Sequence, residues 1–137
     1  MGIEPFLIAY AINIIVAQRL VRKLCERCKA LDTEILPIML EKIGFPKDEI
    51  ALTKFYRPVG CTHCVKGYKG RTAIHEVLYF TREIRQLIME AGSSINEEAI
   101  RMTAVQQGMQ TLRQAGLELL KKGTTTVEEV ASTTTDD

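Results

Sequence analysis

Four cysteines stand in two pairs, Cys25-Glu26-Arg27-Cys28 and Cys61-Thr62-His63-Cys64. Two residues between cysteines let both thiolates of a knuckle turn toward one ion. Two knuckles then complete a tetrahedral sulfur shell, the usual geometry of structural zinc. Zinc held by Cys25, Cys28, Cys61 and Cys64 is therefore the expectation. Two other readings stay open: four reduced, buried cysteines, or a dithiol redox pair, for which a thioredoxin-like βαβ context is missing. His63, inside the second knuckle, could replace a cysteine as ligand. With four protein ligands and no open position, such a metal is structural and not catalytic. Arg22, Lys23, Arg27, Lys29 and Lys66 flank the knuckles and would offset the charge of four thiolates. The segment between the pairs, 29–60, has 32 residues. Common ribbon spacing is nearer ~15–20, so this insert is expected to hold a small element of its own.

Three weaker constellations have bland readings beside the functional ones. Lys66-Gly67-Tyr68-Lys69-Gly70-Arg71-Thr72 sets cations and an aromatic on a glycine-rich turn. It could contact phosphate or nucleic acid, or be a hairpin tip with solvated charges, which is the favoured reading. It is not a phosphate loop, and no Gly-x-x-x-x-Gly-Lys-Ser/Thr pattern occurs in the chain. Without one the chain is not expected to bind or hydrolyse ATP. His75 and Glu76 lie side by side on a likely strand, where neighbours face opposite ways, so they are not read as an acid–base pair. Arg19, Arg22 and Lys23 read as a solvated helix end, and Thr124-Thr125-Thr126 as a helix entry.

The elements that would carry these residues are mostly helical. Pro5 to Lys23 reads as one helix, apolar nearly all round until Gln18 and basic in its last turns, as the helix dipole favours. Thr33 to Ile43 has helical spacing and stops at Gly44. Thr53–Val59 and Arg71–Leu78 alternate as strands of a β-hairpin, with Gly67 and Gly70 in the turn. Thr81 caps a helix with Ile84, Leu87 and Ile88. Ser94-Ile95-Asn96-Glu97 is a capping box opening a helix with Ala99, Met102 and Val105, ended by Gly108. Another helix starts near Thr111, buries Leu112, Leu119 and Leu120, and stops at Gly123. Thr126-Val127-Glu128-Glu129 is a second capping box for a short last helix. The expected fold is α+β, mostly helical. It divides into a first helix over 1–23, a tetracysteine module with a hairpin over 24–78, a bundle of three to four short helices over 79–132 and a frayed tail over 133–137.

The chain has 137 residues, enough for one core-forming domain, with 46% hydrophobic and 26% charged residues. Its 18 Lys and Arg balance 17 Asp and Glu, so net charge gives no reason to expect nucleic acid or an anionic membrane. The longest apolar run, Phe6 to Ala17, is shorter than the ~20 residues that span a bilayer, and it lacks the flanks of a secretory signal. Met1-Gly2 lacks the Ser or Thr at position 6 that myristoylation wants. A cytosolic protein is expected, where reduced thiols favour metal binding over disulfides.

Taken in order, the motifs resemble one family. Met1-Gly2-Ile3-Glu4-Pro5-Phe6 leading to Ala17-Gln18-Arg19-Leu20-Val21-Arg22 resembles the segment after the ATPase core of type II secretion and type IV pilus assembly ATPases. Gly67-Tyr68-Lys69-Gly70-Arg71-Thr72 with Ile74-His75-Glu76 resembles the segment after their second cysteine pair. Gly108-Met109, Thr111-Leu112-Arg113-Gln114, Gly116-Leu117 and Gly123-Thr124-Thr125 with Glu128-Glu129-Val130 resemble their C-terminal end. The resemblance implies a C-terminal fragment of a cytoplasmic, hexameric ATPase. ATP and Mg²⁺ would belong to the parent only. The partners would be the rest of the hexamer and an inner-membrane platform protein, with no nucleic acid and no membrane insertion. The fragment would lie at the inner membrane only through those partners, and its first helix would be covered by the ATPase core. The rival is a stand-alone zinc module binding nucleic acid through the Lys66–Arg71 turn.

Overall fold

The computed structural model describes residue 9, residues 11–91 and residues 96–134. These fall into two compact units, the described parts of Met1–Ala17 with His75–Thr111, and of Gln18–Ile74 with Leu112–Asp137.

The first long element is a strand, β1 (Ile14–Leu24). This corrects the helix expected over 5–23. Ala9 and Ala11 are helical, residues 1–8 and 10 lie outside the described residues, and from Ile14 the backbone is extended. The physical reason is β-branching: Ile14, Ile15, Val16 and Val21 are stiff at χ1 and pack well on a pleated surface. A short run that is apolar all round has no periodicity to separate helix from strand. The basic residues read as completing a helix end lie along this strand instead.

Its partner is β4 (Tyr68–Tyr79), and the two form a two-stranded sheet. The Phe80 amide donates to the Asn13 carbonyl at 2.9 Å, and the Cys25 amide to the Gly67 carbonyl at 2.9 Å, so the strands run antiparallel. The strand expected over 71–78 is thus real and longer, but the hairpin with 53–59 is not its pairing. Only β3 (Tyr56–Arg57) is extended there, and it pairs antiparallel with β2 (Ala30–Leu31), Ala30 opposite Arg57 and Leu31 opposite Tyr56. The described residues mix helix and strand and are not plainly mostly helical; β1 and β4, with 11 and 12 residues, are the longest described elements.

Between β2 and β3 the insert folds two short helices, α1 (Pro37–Lys42) and α2 (Lys47–Ile50). Pro37 sits in the first turn of α1, where its missing N–H is no loss. At the other end Gly44 donates to the Glu41 carbonyl at 3.0 Å and Phe45 to the Leu40 carbonyl at 3.0 Å, a complete Schellman stop. That turn delivers Phe45 edge-on to Phe55, ring centroids 5.2 Å apart. Leu40, Ile43, Phe45 and Phe55 share one core with Leu117, Leu120, Val127 and Val130 of α5 (Leu112–Lys121) and α6 (Val127–Thr133).

The other unit packs α3 (Arg82–Ala91) and α4 (Glu97–Gln106) around Ala9, Phe80, Ile84, Ile88 and Ala104. Thr81 caps α3 as expected, accepting from the Ile84 amide at 3.3 Å. The cap of α4 is Asn96, accepting from Ala99; Ser94 and Ile95 of the expected box lie outside the described residues. Its buried face is also offset from the expected one. Ala104 is buried with Ile100 beside it, while Met102 and Val105 are exposed. All four expected C-terminal helices are present, packed as the pairs α3 with α4 and α5 with α6.

Candidate metal centre

The first knuckle hangs from the end of β1. After Cys25 the chain turns tightly, the Lys29 amide donating to the Cys25 carbonyl at 3.0 Å. The second knuckle, Cys61–Cys64, leads straight into a two-residue turn. Val65 and Tyr68 exchange both backbone hydrogen bonds at 3.0 Å, with Lys66 at φ 53° and Gly67 at φ 94°. That is the primed hairpin turn whose twist suits a strand entry. The Lys66–Thr72 constellation is a turn and the start of β4.

All four Sγ atoms lie within 4.8 Å of one another. Cys25 and Cys61 are 3.8 Å apart, Cys28 and Cys64 3.7 Å, and Cys61 and Cys64 3.5 Å. A tetrahedron with metal–sulfur bonds of about 2.3 Å has edges of about 3.8 Å. The cluster has the size of a four-thiolate shell and could hold such a metal ion. Backbone amides already point at the sulfurs, Gly60 at Cys28 at 3.3 Å and His63 at Cys61 at 3.4 Å. Such outer N–H groups orient ligands and stabilise thiolate. His63 itself is exposed and outside the cluster.

The thiols are not equivalent. Burial pushes the Cys25 thiol up, but amide hydrogen bonds from Arg27 and Cys28 and thiols at Cys61 and Cys28 outweigh it and bring it down to about 7. At Cys61 the His63 amide pulls down, but burial and the thiols of Cys64, Cys25 and Cys28 win and raise it to about 11.

Residues far along the chain brace this centre, and sequence reading missed them. Thr124–Thr126 is indeed a helix entry, and it also docks on the knuckle strand. The Leu24 amide donates to the Thr124 carbonyl at 2.8 Å, the Thr125 hydroxyl to the Arg22 carbonyl at 2.8 Å, and Thr126 Oγ1 bonds the Tyr68 hydroxyl at 2.9 Å. The second capping box forms by half. Thr126 accepts from the Glu129 amide at 3.2 Å, but the Glu129 carboxylate goes to Arg22, taking its amide at 2.9 Å and its Nε at 2.8 Å. Arg22 also lies 4.1 Å over the Tyr68 ring. Lys29 bonds the Gly123 carbonyl at 3.1 Å and pairs with Glu26 at 3.1 Å. Arg22 and Lys29 thus each have an acidic partner of their own. The signal available in sequence was a Glu at the third position of a capping box.

Glu129→Ala is expected to lower the stability of this unit by about 1–3 kcal/mol, the range for losing charge-assisted bonds to a buried carboxylate. Thermal unfolding of the variant beside Glu129→Gln checks it. The Gln variant should lie between the two, since an amide oxygen can still accept from Arg22 without the charge. Equal midpoints for all three would sink the assignment.

His75 and Glu76 do not form a site. Glu76 pairs with Arg101 at 3.4 Å and His75 is exposed. Among the described residues, no helix is long and apolar enough to cross a membrane.

The family model described as Type II/IV secretion system protein matches residues 1–132. The chain belongs to that family. Among curated relatives in it, the type IV pilus assembly ATPase PilB of Pseudomonas aeruginosa is 44% identical over 99% of this chain and 23% of its own length. PilB of Thermus thermophilus is 44% identical over 98% of this chain and 15% of its own. The type II secretion system protein E of Aeromonas hydrophila is 34% identical over 100% of this chain and 26% of its own. This Type II/IV secretion chain thus spans about a quarter or less of the length of the relatives it matches.

Proposed function

We propose that this chain is the zinc-bearing C-terminal region of a cytoplasmic, hexameric ATPase that powers type IV pilus assembly or type II protein secretion. The observation that carries the metal reading is the sulfur cluster, with neighbours at 3.5–3.8 Å against the ~3.8 Å edge of a zinc–thiolate tetrahedron. The parent reading rests on relatives named as pilus assembly ATPases that align along almost the whole chain. Cys25, Cys28, Cys61 and Cys64 are the ligands. With four thiolates the shell is closed, so the metal supplies rigidity and no chemistry. It ties the end of β1 to the start of β4 and holds the insert as a firm docking surface. The docking partner is the inner-membrane platform protein of the machine, or a neighbouring subunit of the hexamer. ATP and Mg²⁺ are bound by the remainder of the parent, since this chain has no phosphate loop.

Protein purified without added metal should carry close to one zinc per chain by elemental analysis. Replacement by Co²⁺ should give the strong near-ultraviolet thiolate band and the visible bands of a tetrahedral sulfur site. A folded, metal-free chain with four titratable thiols would overturn the metal reading.

A further inference from the structure

The sulfur cluster has a covered side and an open one. Cys25 is 1% exposed, beneath the bonds from Leu24 to Thr124 and from its own amide to Gly67. Cys61 is exposed, and so are Thr62, His63, Val65 and Lys66 around it; Cys28 and Cys64 are both half-buried. The two sulfurs of this outer knuckle are 3.5 Å apart, against 3.8 and 3.7 Å for the two contacts between knuckles. Cys61, the ligand that solvent reaches most easily, is thus well placed to bond Cys64.

We propose that the second knuckle is a peroxide-sensitive latch, in which hydrogen peroxide oxidises Cys61 and Cys64 to a disulfide and so releases the metal. The proposal rests on the zinc reading above. The exposed Cys61 thiolate attacks one peroxide oxygen, the O–O bond breaks, and Cys61 becomes a sulfenic acid as hydroxide leaves. The Cys64 thiolate then attacks that sulfur, the S–O bond breaks, and a second hydroxide leaves as the disulfide forms. Two electrons pass from the sulfur pair to the peroxide, which with two protons ends as two waters. Two of four ligands are then lost, and Cys25 and Cys28 take up protons as the site empties. Burial protects Cys25, and the exposed Cys61 sulfur lies 3.5 Å from that of Cys64, which directs the oxidation to the outer pair. Thiol reductant and zinc restore the site, because neither sulfur has passed the disulfide stage.

The test uses the full chain with its zinc content measured first, then titrated with hydrogen peroxide. Released zinc is read with a chromogenic chelator, and the sulfurs by differential alkylation and peptide mass spectrometry. Each zinc released should accompany one Cys61–Cys64 disulfide, with Cys25 and Cys28 still alkylatable after denaturation. Dithiothreitol with zinc should reverse both changes. Zinc retained at peroxide levels that fully oxidise a free-thiol peptide overturns the latch, as does release accompanied by a Cys25–Cys28 disulfide or by sulfinic acids. A chain with no metal before peroxide overturns the zinc reading itself, and the latch with it.

Discussion

Stripping the metal with a strong chelator is expected to abolish hydrogen-exchange protection in the insert and in α5 and α6 together, while α3 and α4 keep theirs. The reason lies in how the cores divide. Leu40, Ile43, Phe45 and Phe55 of the insert share one cluster with Leu117, Leu120, Val127 and Val130, whereas Ile84, Ile88 and Ala104 belong to another. Structural zinc binding is worth about 10–16 kcal/mol, against about 5–15 kcal/mol for the net stability of a whole domain. Loss of the metal therefore exceeds what the shared core can hold. Exchange measured by mass spectrometry on apo and zinc-loaded protein decides it. Loosening confined to 25–64, with α5 and α6 still protected, would show that the metal is not coupled to the common core.

Gly67→Ala is expected to destabilise the same unit by about 3 kcal/mol or more. A left-handed backbone costs a non-glycine residue about 1–2 kcal/mol, and forced overpacking about 1–3 kcal/mol more. Gly67 has φ 94°, and a Cβ there would lie 2.4 Å from Pro58 Cβ and 2.8 Å from Pro58 Cα. Backbone atoms of Pro58 cannot swing aside as a flexible side chain can. Gly67 also supplies the carbonyl that receives the Cys25 amide, so a shift there moves a ligand. Gly44→Ala is the control: φ is 90° with nothing within 4 Å of the added Cβ, which isolates the backbone penalty. Denaturant midpoints for the two variants, with zinc retention against a competing chelator, measure the difference. Equal losses would mean that the Pro58 contact yields easily.

The cysteine cluster was legible in sequence because its signal is local and chemical: four cysteines at two fixed spacings. Helix ends were legible for the same reason. Gly44, Gly108 and Gly123 stop helices where they were expected to, each at positive φ. Thr81 and Thr126 cap them. Residues 14–24 were not legible, because an apolar run reads alike in a helix and a strand, and only the partner strand 68–79 decides between them. Arg22 and Glu129 meet across a sequence separation of 107 residues, and no local pattern announces such a pair. The α4 face was misread for a related reason: Ala104, small and unremarkable in sequence, is buried, and Met102 faces out.

The four cysteines flank residues 29–60, so a metal held between them would work as a molecular staple at the neck of a loop. Closure entropy grows only with the logarithm of loop length, and doubling a loop adds just ~0.6 kcal/mol. A chain pinned at its neck can therefore be lengthened at its crown almost without penalty, provided the residues facing α5 and α6 are kept. Leu52, 85% exposed between α2 and β3, marks such a crown. Machines built on this scaffold can vary the surface they present at that tip while the staple beneath it stays the same.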